Sequence, residues 1–229
     1  MILSKSSMVY KNMNRFPKHS YKSDWFELRI WEPRFVDYKK LMLQEEVTLA
    51  AQAIVDGKVL LYPTDTVWGL GCDVNNEAAI QRILKLKQSA TDKPLIVLVA
   101  DTDQLYKYVA KIPELAWDLI ELSEKPITII YPEGKNVAPS LLGPDGSLAV
   151  RVVKDPFCIQ MIRKAGRAIT STSANLTGNP APSQFRNIDE EIIEGAEYIV
   201  NHLRKEKLEN PPSSIIKVGY DGEVKIIRK

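Results

Sequence analysis

A single α/β domain with a twisted, mostly mixed open sheet flanked by helices is the fold class the sequence predicts, and three observations lead to it. Stretches with apolar residues at helical spacing alternate with short apolar runs of strand length. At 229 residues the chain is long enough for one sizeable core. Its composition, 45% apolar and 26% charged, is that of an ordinary globular protein rather than a disordered or membrane one.

The elements follow in order. Val47, Ala50, Ala51, Ile54 and Val55 predict a helix over 45–56, which Gly57 is placed to end. Residues 59–62 read as a buried strand, followed by a polar loop. Ala78, Ala79, Ile80, Ile83, Leu84 and Leu86 then form a second helical stripe, closed by Lys85 and Lys87, whose charges complement the helix dipole. Residues 94–100 are an apolar run of strand length, and Asp101 with Gln104 makes a capping box for the next helix. A helix over 113–122 leads to a strand at 127–131 and a loop rich in Gly and Pro. Residues 148–153 read as a strand carrying Arg151; Asp155-Pro156 supplies an N-cap and first-turn proline for a helix ending near Gly166. A short strand at 168–172 runs into a Ser-Ala-Asn loop. A helix over 189–195, a strand at 198–200 and a hairpin of 214–219 with 224–228, turned at Asp221-Gly222, complete the chain.

Residues 1–40 lack this periodicity and read as an N-terminal extension to a catalytic domain over 41–229. Trp25, Phe26, Leu28, Ile30, Trp31 and Phe35 give the extension an apolar set suited to a strand or arm. No apolar run approaches the length of a membrane span or the centre of a secretory signal, so the expectation is a cytoplasmic protein without membrane contact. The net charge of +2 is too small to argue for nucleic acid by itself. Cys72 and Cys158 lie far apart, without C-x-x-C spacing or histidines at metal-ligand spacing, and read as structural thiols. His19 and His202 are poorly placed to activate either one.

The most informative stretch is Leu60-Leu61-Tyr62-Pro63-Thr64-Asp65-Thr66-Val67-Trp68-Gly69-Leu70-Gly71, where an apolar strand enters a proline-initiated loop crowded with hydroxyls. Thr64 and Thr66 offer donors and acceptors, while Gly69 and Gly71 permit close approach of a ligand or a turn. Taken alone, the same spacing suits an ordinary strand-end turn equally well. It does not stand alone. Lys87, Lys93-Pro94-Leu95-Ile96-Val97, Ala149-Val150-Arg151-Val152, Ser171-Thr172-Ser173-Ala174-Asn175 and Ser213-Ser214-Ile215-Ile216 follow it. In the loop and these segments, and in their order, the chain resembles the YrdC-like threonylcarbamoyl-AMP synthases in their short, single-domain form, over roughly residues 43–229.

The resemblance implies an enzyme that joins L-threonine, bicarbonate and ATP into threonylcarbamoyl-AMP and pyrophosphate, for threonylcarbamoyl-adenosine modification of tRNA. It implies ATP contacts at Lys87, Lys93, Ser173, Asn175 and Arg228, with Lys87, Ser173 and Asn175 acting in catalysis. Threonine falls to Thr66, Arg151, Ser171 and Ser213, with Arg151 suited to a bidentate carboxylate contact. Asp65 is expected to organise the loop or lie near a metal. Mg²⁺ is expected as a shield for the triphosphate, with no metal ligands from the protein. The partners implied are a downstream tRNA threonylcarbamoyl transferase complex and, through a basic cleft, tRNA or double-stranded RNA. Consistent with basic side chains serving as the ATP site, the sequence has no Walker A motif.

Two positions depart from the family's pattern. Ser89 stands where a K-x-R motif has arginine, and losing a charge-assisted contact of about 1.5–3 kcal/mol should weaken ATP binding or slow turnover by roughly ten- to a hundred-fold. Leu98 stands where histidine is common near the amino-acid pocket. These departures keep two other readings in view: a paralogue with altered or lost synthase activity, and a non-catalytic RNA- or nucleotide-binding module.

Overall fold

The computed structural model describes residues 37–88 and 95–229. Helix α1, Tyr38–Val55, starts two turns earlier than the apolar periodicity indicates, because the Asp37 side chain caps it by accepting from Lys40 N at 3.2 Å. Its early residues are exposed, so the apolar stripe that reveals a helix begins only at Val47. Strand β1, Leu60–Pro63, and strand β2, Trp68–Gly71, form an antiparallel hairpin around the threonine loop. Helix α2, Glu77–Leu86, is capped by Asn76 and ends at Lys87. Strand β3, Ile96–Val99, leads into α3, Thr102–Tyr108, whose cap Asp101 accepts from Gln104 N at 2.9 Å. Gln104 in turn accepts from Ala100 N at 2.8 Å, one residue before the position a standard capping box would reach.

Helix α4, Glu114–Leu122, precedes β4, Ile127–Tyr131, and the loop to β5, Leu148–Val152. Helix α5, Pro156–Ala165, is capped by Asp155 and terminated by Gly166 in the left-handed region, φ 71°. Strand β6, Ile169–Ser173, helix α6, Glu190–Gly195, strand β7, Tyr198–Ile199, and the hairpin of β8, Ser214–Val218, with β9, Val224–Arg228, finish the fold.

Among the described residues nine strands form one mixed sheet in the order β7-β1-β2-β6-β3-β5-β4-β8-β9. The pairs β1/β7, β3/β5 and β4/β8 are parallel and the rest antiparallel. Strand alternation divides the core between two faces. Leu60, Tyr62, Leu98 and Ile169 pack in a cluster with α1 and α5 residues such as Ala50, Ile54, Phe157 and Met161. Leu61, Leu70, Val97, Val99 and Val150 belong to a second cluster with Ile80 and Ile83 of α2, Leu105 of α3 and Ala116 of α4. Helices thus cover both sides, which accounts for the near-continuous apolar runs in the central strands. Leu98 is fully buried in the first cluster and does not line the cleft described below, so its apolar character serves packing.

Strand β2 is the element the sequence reading assigned to loop. Glycine is depleted in strands, and Gly69 and Gly71 lie within this one. The structure shows why Gly71 is there: a Cβ would stand 2.4 Å from the Thr170 carbonyl oxygen and 2.9 Å from the Tyr62 ring. The first contact is with backbone of the neighbouring strand and cannot yield cheaply. Gly71→Ala is expected to destabilise the domain by about 1–3 kcal/mol, measured as a lowered midpoint in thermal unfolding.

Candidate functional site

The threonine loop is built by Thr64. Its hydroxyl donates to Val67 O at 2.8 Å and accepts from the Thr66 and Val67 amides at 3.0 and 3.3 Å, so one side chain closes the turn between β1 and β2. It also lies 2.9 Å from the Thr66 hydroxyl. Opposite, Arg151 projects from β5 and is only 3% exposed. Its guanidinium donates to Asp65 Oδ1 at 2.8 Å and to Thr66 Oγ1 at 3.4 Å. Asp65 is therefore the counter-charge this buried arginine requires, and the pair ties the loop to the sheet. Arg151 Nε is buried with no partner.

The end of β6 forms the next wall. Ser171 accepts a hydrogen bond from the buried Tyr62 hydroxyl at 2.8 Å. Lys87, at the C-cap of α2 and 6% exposed, donates to the carbonyls of Ser173 and Asn175 at 2.5 and 2.7 Å. Burial lowers its pKa to about 8, although the Asp189 carboxylate works in the opposite direction. The Thr177 amide donates back to Lys87 O at 2.9 Å, stapling the end of α2 to the segment after β6. The Asn175 amide nitrogen is held by the carbonyls of Leu176 and Asn179, leaving its buried Oδ1 without a partner.

The β8–β9 hairpin supplies the far side. The Ser213 hydroxyl lies 2.8 Å from that of Thr128, and its carbonyl accepts from Arg228 Nε and a terminal nitrogen at 3.0 and 2.6 Å. Arg228 lies in β9, in register with Ile215, and is anchored by these bonds. Burial, and then the charge of Arg151, lower its pKa.

These groups meet. Thr66, Lys87, Arg151, Ser171, Ser173, Asn175, Ser213 and Arg228 all line one cleft of about 370 Å³. That size falls in the range of about 300–1,000 Å³ common for small-molecule sites. Lys93 and Ser89 lie outside the described residues. Gly69 helps to hold the space open: a Cβ there would lie 3.4 Å from Ser171 Oγ and 3.6 Å from Thr64 Cγ2, inside the cleft. Three cations and several hydroxyls face this space, whereas Asp65 is turned to Arg151, so the arrangement suits an anionic, hydrogen-bonding ligand. Neither thiol lines it. Burial pushes Cys72 up to about 12 and raises Cys158 well above its ordinary value, and the His202 ring is stacked on Phe157.

Sequence reasoning missed Thr177, Gly178, Ala181 and Pro212 in the lining. It also missed the supports Tyr62, Thr128 and Asp189, for which the only signal was a polar atom inside or next to an apolar element. Asp189 read simply as a helix start; its carboxylate in fact holds the Leu176 amide at 3.2 Å and the Asn179 side-chain amide at 3.3 Å.

Comparison with known proteins places the chain in a family. The Sua5/YciO/YrdC family model, described as telomere recombination, matches residues 52–229. The threonylcarbamoyl-AMP synthase of Pseudoalteromonas translucida (strain TAC 125) is 35% identical over 161 residues, covering 69% of this chain and 86% of that protein. That of Acinetobacter baylyi (strain ATCC 33305 / BD413 / ADP1) is 33% identical over 184 residues, covering 77% and 94%. Among solved structures, P. abyssi Sua5 complexed with L-threonine aligns with a TM-score of 0.69 at 30% identity, over 75% of this chain and 50% of the Sua5 chain. This chain thus spans about half the length of that protein. E. coli YciO, at 23% identity and a TM-score of 0.71 over 81% of this chain and 89% of its own, shares the fold. On the family match and these relatives, the chain belongs to the Sua5/YciO/YrdC family.

Proposed function

We propose that this protein is an L-threonylcarbamoyladenylate synthase, a nucleotidyltransferase that makes threonylcarbamoyl-AMP and pyrophosphate from L-threonine, bicarbonate and ATP. The observation that carries this reading is the convergence of eight distant polar side chains on one cationic cleft, in a chain similar to proteins of that name. The threonine amine combines with bicarbonate, releasing water, to give a carbamate. A carbamate oxygen then attacks the α-phosphorus of ATP, and the bond to the β-phosphate oxygen breaks as pyrophosphate leaves. Both reactants are anions, so the protein's contribution is alignment and charge compensation rather than a covalent intermediate.

Lys87, Ser173, Asn175 and Arg228 are assigned to the nucleotide, and Thr66, Arg151, Ser171 and Ser213 to threonine. Arg151 Nε and Asn175 Oδ1, buried without partners, are groups that a ligand would satisfy. Among the described residues no group of three or more His, Cys, Asp or Glu could hold a metal ion. Mg²⁺ is assigned to the triphosphate itself. The product would pass, in the cytoplasm, to a separate transferase that acts on tRNA. Among the described residues no helix is long and apolar enough to cross a membrane.

The test is direct. Purified protein is incubated with ATP, Mg²⁺, bicarbonate and labelled L-threonine, and threonylcarbamoyl-AMP and pyrophosphate are measured. Product that requires both threonine and bicarbonate is the expected result. No product, or product only with another amino acid, would overturn the assignment.

A further inference from the structure

Tyr62 takes no place in the mechanism above, yet its position is closely specified. The ring is fully buried between β2 and the α1/α5 layer. The absence of a side chain at Gly71 makes its place: a Cβ there would stand 2.9 Å from Cε1 and 3.2 Å from the hydroxyl. Burial raises its pKa far above the ordinary tyrosine range, so the phenol keeps its proton. That proton goes to Ser171 Oγ at 2.8 Å.

The consequence lies at Ser171. A serine hydroxyl has one proton to give and two lone pairs. With one lone pair filled by Tyr62, the Ser171 proton is turned away from the phenol, and Ser171 lines the cleft. A lone serine can donate or accept as its rotor turns; this one is biased toward donating. Resting on the synthase reading, we propose that Tyr62 is a positioning residue that fixes Ser171 as a hydrogen-bond donor to an anionic oxygen of the amino-acid substrate, its carboxylate or the carbamate formed from it. Tyr62 never touches the substrate. It raises the share of Ser171 rotors that are ready to bind, and polarises the Ser171 O–H through the linked hydrogen bond.

The experiment is steady-state synthase kinetics on the full chain for the wild type, Tyr62→Phe, Ser171→Ala and the double variant. Phenylalanine keeps the ring and removes one oxygen, and melting temperatures check that each variant is folded. Tyr62→Phe is expected to raise KM for threonine about five- to ten-fold while leaving KM for ATP within about two-fold of the wild type. Because Tyr62 acts only through Ser171, the double variant should be no worse than Ser171→Ala alone. A merely structural role would lower the melting temperature without separating the two KM values. Unchanged KM for threonine in Tyr62→Phe, an equal rise for ATP, or independent multiplication of the two losses would each overturn the proposal while leaving the synthase reading intact. An inactive wild type would overturn both.

Discussion

Arg151→Ala is expected to lower kcat/KM for threonine by about a hundred-fold or more, while costing only about 1–3 kcal/mol of stability. The catalytic loss follows from the hydrogen-bond inventory. A guanidinium has five N–H donors, and Asp65 and Thr66 engage one nitrogen each, the second at a long 3.4 Å. Nε remains buried and unpartnered. A substrate carboxylate would take up the remaining donors, so its binding regains part of what burying the arginine costs. The stability loss has a separate source, the Asp65 carboxylate left without its cation. Its side chain is 13% exposed, so water reaches it and the cost falls below that of a fully enclosed charge. The double variant Asp65→Ala/Arg151→Ala should therefore regain most of the melting temperature and none of the activity. Arg151→Lys should also remain poor, since an ammonium cannot reproduce the fork that spans Asp65, Thr66 and a ligand. Recovery of activity together with stability in the double variant would show that Arg151 serves the loop alone.

The pair also marks where sequence reading stops. An arginine within the apolar strand Leu148–Val152 announces that something must neutralise it, but its partner lies 86 positions away in a loop. No local rule names it. Helix α2 was legible from its apolar stripe and α5 from its Asp155 cap and first-turn Pro156. The central strands were legible as apolar runs, because helices cover both faces of the sheet. Strand β2 was not, since Gly71 answers to Thr170 and Tyr62 across the sheet rather than to any local preference. The cleft residues could be named from the family resemblance, but what holds them could not. Tyr62 reads as one more strand apolar, Thr128 as one more β-branched residue and Asp189 as one more cap. Their hydrogen bonds to Ser171, Ser213 and the segment after Asn175 exist only once the sheet order is fixed.

Lys87 is the second group whose removal should have a large effect, and pH separates its role from a structural one. Its ammonium has three donors, of which the carbonyls of Ser173 and Asn175 take two, leaving one for an ATP phosphate. On deprotonation the amine keeps two N–H donors, both occupied by those carbonyls, and the remaining position becomes a lone pair that repels phosphate. With a pKa of about 8 in the free protein, kcat/KM for ATP should fall as pH rises through about 8. Bound phosphate favours the ammonium, so the corresponding fall in kcat should lie at higher pH. Stability runs the other way. The folded pKa, about 8, is below the ordinary 10.5, so between these values the unfolded chain holds more protons at this site than the folded one. Within that window the Lys87 contribution to unfolding free energy increases with pH. A loss of activity caused by alkaline unfolding would instead track a falling melting temperature. Lys87→Met should lower kcat/KM for ATP by about ten- to a hundred-fold at pH 7 and remove the alkaline limb together with the lysine-linked rise in stability. An alkaline limb that persists in Lys87→Met would assign it to another group and remove Lys87 from the nucleotide site.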